Sequence, residues 1–117
     1  MIKILLLLTS FTMSVERTQI WREGDVFHPF LIESETKALI SKKCVESPDG
    51  CEALKAVKTK LKLNFTEAQL AGGKNPSSLL CSIGHKGEVL IFKDAKGNEN
   101  SFCKFPDLSM IRANDLR

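Results

Sequence analysis

The stretch Glu88-Val89-Leu90-Ile91-Phe92-Lys93-Asp94-Ala95-Lys96-Gly97-Asn98-Glu99-Asn100-Ser101-Phe102-Cys103-Lys104-Phe105 decides the reading of the fold. Upstream of it apolar residues recur at helical intervals; here the period falls to 2. Residues 88–93 predict a strand with apolar side chains on both faces, hence one covered on both sides. Asp94-Ala95-Lys96-Gly97-Asn98 is turn chemistry, with Gly97 free to take positive φ, and residues 101–105 return as a second strand. Pro106-Asp107 turns again, residues 108–111 add a third strand, and residues 112–117 read as a polar tail.

Moving back from that strand, helical spacing returns. Asn75-Pro76 opens a short helix, with Asn75 as cap, Leu79, Leu80 and Ile83 as apolar cover and Gly84 as its stop. Residues 66–71 predict one helical turn with a Thr66–Gln69 capping box, ended by Gly72-Gly73. Ser47-Pro48-Asp49 predicts the start of a longer helix: hydroxyl cap, proline at the first position, acid in the first turn. Leu54, Val57 and Leu61 form its apolar stripe, and Lys55, Lys58 and Lys62 a neighbouring basic stripe. A first helix is predicted over residues 33–44. There Ile32, Thr36, Leu39, Ile40 and Cys44 recur at helical spacing, Ser34 or Thr36 supplies the cap, and Lys42 and Lys43 lie in the last turn.

Residues 15–31 carry Ile20, Trp21, Val26, Phe27, Phe30 and Leu31 without a clear period, broken by Gly24-Asp25 and His28-Pro29. They read as an extended arm over the core, because burying each such side chain gains about 1.5–3 kcal/mol. No internal repeat or low-complexity tract is visible. The expected fold class is α+β: an N-terminal disulfide-linked helical hairpin, then a short helix and a small antiparallel β-sheet. The expected segments are a signal peptide (1–14), the arm (15–31), a helical hairpin region (32–73) and a small α+β domain with a β-hairpin (74–117).

A chain of 117 residues is enough for one ordinary domain. With 43% hydrophobic and 26% charged residues, only seven glycines and only four prolines, it is neither collagen-like nor Pro/Gly-rich disorder. Seventeen basic against fourteen acidic residues leave +3, too mild a charge to point to nucleic acid.

The N-terminus reads as an export signal. Met1-Ile2-Lys3 gives a positive start, Ile4 to Leu8 an unbroken aliphatic run, and Thr9 to Ser14 the small hydroxyl residues of a cleavage region. Thr12 and Ser14 at −3 and −1 place the cut before Val15. The apolar run is too short to span a bilayer, which takes about 20 apolar residues. No transmembrane segment is therefore expected in the mature chain, and the expected localisation is periplasmic or secreted.

In an exported chain four cysteines allow three pairings, and local geometry favours one. Cys44 ends the first predicted helix and Cys51 opens the second across a tight Pro-Asp-Gly connection. Cys81 on the short helix and Cys103 on the second strand would staple helix to sheet. Each closure is worth on the order of 2–4 kcal/mol. A zinc site using the cysteines with His28 or His85 lacks any Cys-x-x-Cys pair. A catalytic thiol would need one of those histidines as base and an unpaired cysteine.

The segment Asn75-Pro76-Ser77-Ser78-Leu79-Leu80-Cys81, then Gly87-Glu88-Val89-Leu90-Ile91-Phe92-Lys93-Asp94, Gly97-Asn98-Glu99 and Phe102-Cys103 resembles a short bacterial exported domain of unknown function that carries a haemolysin label. The resemblance covers residues 75–111 and implies that Cys81 and Cys103 correspond to that family's two cysteines. Pro106-Asp107-Leu108 stands where the family has a glycine, and a downstream Cys-x-x-Trp is absent. The label implies membrane lysis, but no long amphipathic lytic helix is visible.

These features point to a non-enzymatic binding or interaction module of the cell envelope, with no cofactor and no metal, whose partner is a protein or envelope component and not nucleic acid. The expected partner surfaces are Lys55, Lys58 and Lys62 on one face, and Lys86, Lys93 and Lys96 along the hairpin edge. A second reading is a membrane-active or inhibitory effector that displays Pro48-Asp49-Gly50 at the tip of the Cys44–Cys51 loop. A third is a small cell-wall or protein hydrolase using carboxylates such as Glu33, Glu35, Asp94 and Glu99. Asn64-Phe65-Thr66 is a formal glycosylation sequon.

Overall fold

The computed structural model describes residues 17–117; the signal-peptide reading lies outside the described residues. Six antiparallel strands close into a barrel in the order β1-β2-β3-β6-β5-β4. These are β1 (Gln19–Glu23), β2 (Val26–Ile32), β3 (Leu39–Ser41), β4 (Glu88–Lys93), β5 (Glu99–Lys104) and β6 (Met110–Arg112). Between β3 and β4 run four short helices: α1 (Lys42–Glu46), α2 (Glu52–Thr59), α3 (Glu67–Leu70) and α4 (Pro76–Leu79). The last continues into a wide helical turn, Leu80–Gly84, and a 3₁₀ turn, Ala113–Leu116, follows β6.

The expected helical hairpin with a small open sheet is thus overturned. The arm is in fact the β1–β2 hairpin, turned at Gly24 (φ 58°) and Asp25. The helix expected over residues 33–44 is a turn followed by β3 and α1. Glu33 accepts hydrogen bonds from the Glu35 and Thr36 N–H groups (3.1 and 2.8 Å), and Lys37 at φ 63° breaks the right-handed path. Leu39 and Ile40 then fill one position each on the two faces of a short strand, where an amphipathic helix reading also places apolar residues.

Two three-stranded meanders, β1-β2-β3 and β4-β5-β6, build the barrel, and their registers match. Phe30 faces Gln19 and Ser41, as Phe102 faces Leu90 and Arg112. Counting outward from those two residues, Trp21 occupies the place of Phe92, Leu39 that of Met110, Ile40 that of Ile111 and Arg22 that of Lys93. The seams join equivalent residues to each other: Ile40 pairs with Ile111, and Arg22 with Lys93. A twofold axis through both seams requires that pairing. The backbone therefore repeats where the residue order shows no repeat.

The alternation of strand side chains splits the interior into two cores. Trp21, Phe30, Leu39, Phe92, Phe102 and Met110 fill the lumen, so each meander contributes three equivalent side chains. Phe102 is the hub, with ring centroids 4.8 Å from Phe30 and 5.1 Å from both Trp21 and Phe92. On the outside, Ile40, Cys103, Phe105 and Ile111 pack against Ala53, Val57 and Leu80 of the helical layer. β4 is not covered on both sides: Phe92 is buried, but Ile91 is 52% exposed. Ile83 is likewise exposed instead of covering the core.

Several local expectations hold. The Thr66–Gln69 capping box forms, and Asn75 caps α4 with Pro76 at its first position. Both predicted disulfides are present, Cys44–Cys51 and Cys81–Cys103, and no cysteine is free. The cap of α2 moves from Ser47 to Cys51, because Gly50 (φ 76°) reverses the chain first. α2 also ends early, at left-handed Lys60, so Leu61 and Lys62 lie beyond it. The Lys60 ammonium donates to the Asp115 and Arg117 carbonyls at 2.9 and 2.6 Å. The C-terminus is therefore docked rather than a free polar tail, with Ala113 and Leu116 buried.

Candidate functional site

β2 outruns β3. Only residues 30–32 pair with β3, and the next residue back, Pro29, has no N–H with which to extend the ladder. The outer half of β2 therefore borders a cleft of about 620 Å³ instead of a strand. α1 and the turn before α2 form a second wall, and the β5–β6 connection a third. His28 and Pro29 come from β2, Lys42 and Lys43 from α1, and Lys104 and Asp107 from the third wall. Cys44 and Cys51 lie in the cleft lining, so one disulfide borders the space.

Each wall is fixed by identifiable bonds. The Ser41 hydroxyl accepts from the Met110 N–H at 2.8 Å and donates to the Met110 carbonyl at 3.3 Å, which locks the start of α1 to β6. Asp107 organises the third wall: it accepts from the Ser109 N–H and hydroxyl at 2.9 and 2.5 Å, and from the Glu52 N–H of α2 at 2.9 Å. The Ser109 hydroxyl accepts from the Ala53 N–H at 3.1 Å. Two otherwise unpaired donors of the α2 N-terminus are thus satisfied by a distant loop. Burial works against the Asp107 carboxylate, yet these hydrogen bonds outweigh it and hold its carboxyl below the ordinary aspartate value.

The cleft is electropositive. Lys42, Lys43 and Lys104 take part in neither ion pair among the described residues, which are Lys93–Glu99 and Arg112–Asp115. Among the described residues the one carboxylate in the lining, Asp107, is committed to backbone and hydroxyl donors. His28 sits where lumen meets cleft, its ring stacked on Phe92 at 5.0 Å. Three ammonium groups beside an unpaired strand edge can hold carboxylates or carbonyl oxygens.

The lysines singled out in the sequence lie elsewhere. Lys55 and Lys58 are exposed on α2, Lys62 follows it, and none lines the cleft. Lys93 and Lys96 share the β4–β5 hairpin, where Lys93 lies 3.8 Å from Glu99; Lys86 precedes the opposite end of β4. Of the carboxylates considered as acid and base, Glu33, Asp94 and Glu99 are occupied locally. Burial opposes the charge on Glu33, but hydrogen bonds from Thr36 and Glu35 prevail and lower its pKa. Asp94 accepts from the Asn98 side chain and from the Asn98 and Lys96 N–H groups, the first of which does most to lower its pKa. Glu35 is exposed in the Glu33 turn. Pro48-Asp49-Gly50 does form the α1–α2 turn, and Gly50 lines the cleft.

With every cysteine paired, neither a zinc-thiolate set nor an unpaired catalytic thiol is present. Among the described residues no group of three His, Cys, Asp or Glu side chains is placed to hold a metal ion. His85 packs on Phe105 at 5.4 Å, and burial lowers its pKa. The sequence offers His28 a site role only as a zinc ligand or a base, and the cleft residues given no binding role there are Lys42, Lys43 and Lys104. Their one sequence signal is adjacency: Lys43 precedes Cys44 and Lys104 follows Cys103.

Fold and cleft together define a small disulfide-linked closed barrel with one helical layer and a basic cleft. No protein-family model, no curated protein and no solved structure matches the chain. Two disulfides fit an oxidising compartment. Among the described residues no helix is long and apolar enough to cross a membrane.

Proposed function

We propose that this protein is an exported binding module of the cell envelope, periplasmic or secreted, that captures an acidic segment of a protein or envelope component without turning it over. The observation that carries the reading is the cleft of about 620 Å³ whose three lysines have no carboxylate partners among the described residues. A charged group is stable there only in water or against a ligand of opposite sign. The Lys55/Lys58 face and the hairpin lysines serve as secondary contacts in this reading. The resemblance of residues 75–111 to the haemolysin-labelled exported domains supports export; lysis forms no part of the proposal.

An oligoglutamate peptide titrated into the protein, followed by amide chemical shifts, tests the reading. The expected shifts cluster at Ser41, Lys42, Lys104 and Met110, weaken with added salt, and disappear in a Lys42→Glu/Lys43→Glu/Lys104→Glu variant. Unchanged spectra of the wild-type protein at millimolar peptide would end it.

A further inference from the structure

The two disulfides sit in opposite environments. Cys81 and Cys103 are each 0% exposed, and the Gly87 backbone lies directly over them: a Cβ at Gly87 would come within 2.6 Å of the Cys103 sulfur and 2.9 Å of the Cys81 sulfur. No thiol can reach that bond without unfolding. Cys44–Cys51 lines the basic cleft, with Cys51 half-buried and Cys44 behind it at 4% exposure.

We propose that Cys44–Cys51 is a reversible redox centre that oxidises the dithiol of a protein partner by thiol–disulfide exchange, with Cys51 the sulfur attacked and Cys44 the resolving thiol. Three observations converge on it. The Cys51 sulfur caps α2 and accepts from the Leu54 N–H at 3.5 Å, so negative charge on that sulfur meets a helix N-terminus. Lys42, Lys43 and Lys104 surround the cleft that an incoming thiolate must enter, and their charge outnumbers that of Asp107. Finally, both cysteines are held independently of their own bond. The Ser41–Met110 lock fixes the chain entering α1, while Asp107 and Ser109 fix the start of α2. Opening the bond therefore leaves two thiols facing each other, with Cα atoms 5.4 Å apart in the closed form.

The exchange balances. A partner thiolate attacks the Cys51 sulfur; the S–S bond breaks, and its electron pair leaves on Cys44, which takes a proton from solvent. The partner's second thiolate then attacks its own sulfur in the mixed disulfide. The partner's disulfide forms and Cys51 is released as thiolate. Two electrons pass from partner dithiol to protein disulfide.

Graded dithiothreitol followed by alkylation and mass mapping tests accessibility: the expected result is that Cys44–Cys51 opens roughly ten-fold or more faster than Cys81–Cys103. Oxidised protein mixed with a reduced two-cysteine peptide tests function, with one peptide disulfide expected for each Cys44–Cys51 lost. Offered instead a one-cysteine peptide as its disulfide-linked dimer, Cys44→Ser is expected to displace one peptide thiolate and accumulate a covalent peptide adduct through Cys51, and Cys51→Ser roughly ten-fold less. Equal opening rates, or opening of Cys44–Cys51 without peptide oxidation, would overturn the proposal. Dithiothreitol has no carboxylate, so its result is independent of whether acidic segments bind the cleft.

Discussion

The two meanders share a backbone plan and fill the lumen alike, but they differ in what covers them. β5 carries Cys103 and leads into Phe105 on the outer face, both buried under the helical layer. On the first meander Leu31, in the place of Cys103, is also buried (3%) but lies outside that outer core, while Phe27, in the place of Glu99, leaves a ring 64% exposed. The difference shows that the inside of this barrel is set by register, and the outside by where the helices between β3 and β4 come to rest. Equivalence and inequivalence between the halves can each be tested, from the lumen outward.

The largest effect is expected in the lumen. Phe30→Ala and Phe102→Ala remove fully buried, register-equivalent rings, and each is expected to cost about 3–5 kcal/mol in urea unfolding. For a domain of ordinary stability, about 5–15 kcal/mol, either leaves a marginal fold. A Phe30→Ala cost below about 1 kcal/mol would break the comparison, because it would make the first meander peripheral.

That equivalence also marks what could be read from the sequence. The second meander announces itself: an apolar run, an Asp/Gly/Asn turn and a return strand, observed as β4 and β5 in the expected places. The first hides the same plan. Its turn is only Gly24-Asp25, Pro29 interrupts its long strand, and Leu39-Ile40 lies in a strand too short to show period 2. The connections also differ in length between the halves, so equivalent lumen residues fall at unequal spacings and no repeat emerges. The disulfides were legible because each joins segments whose local geometry brings them together. The cleft was not, because it depends on where β2 loses its neighbour, which only the closed barrel determines.

The cross-links come next. In the chain-entropy picture, Cys81→Ala/Cys103→Ala, which opens a separation of 22 residues, is expected to cost about 3 kcal/mol. Cys44→Ala/Cys51→Ala, with a separation of 7, is expected to cost about 2. Thermal melts of the two variants should keep that order. The reverse order would show that the helical connection, rather than the staple onto β5, holds the outer core.

Each meander also has a carboxylate that organises the connection into its last strand: Glu33 before β3 and Asp107 before β6. Both carboxyls titrate below their ordinary values in the folded protein. The unfolded chain therefore takes up protons first on acidification. Their stabilisation is complete above the ordinary carboxylate range, about pH 4, and fades as pH falls through the lowered folded values. Asp107→Asn and Glu33→Gln are each expected to cost about 0.5–2 kcal/mol at neutral pH, as the loss of a helix or turn cap does. Each should also flatten the decline of the melting temperature toward pH 3. Asp107→Asn carries the additional expectation of fraying α2, visible as faster amide exchange at Glu52 and Ala53.

The smallest effect falls at the seam between β1 and β4, and there the two halves can be made alike. Arg22 and Lys93 face each other across the seam, like charges on the axis. Lys93 has relief on its own meander, since its cross-strand partner is Glu99 at 3.8 Å. Among the described residues Arg22 has none, because its cross-strand partner is Phe27, and its guanidinium reaches the Gly24 carbonyl at 3.4 Å. Phe27 holds the register position that Glu99 holds in the other half. Phe27→Glu copies the second meander into the first, exchanging an exposed ring for a carboxylate opposite Arg22. Little burial is lost, and a cross-strand ion pair in solvent returns about 0.2–1 kcal/mol. The urea midpoint is therefore expected to stay level or rise slightly, with the gain disappearing in high salt, whereas Phe27→Lys adds a third positive charge at the seam and should lower it. Equal destabilisation by both would mean that the exposed ring of Phe27 holds the seam closed and that the matching registers conceal different jobs.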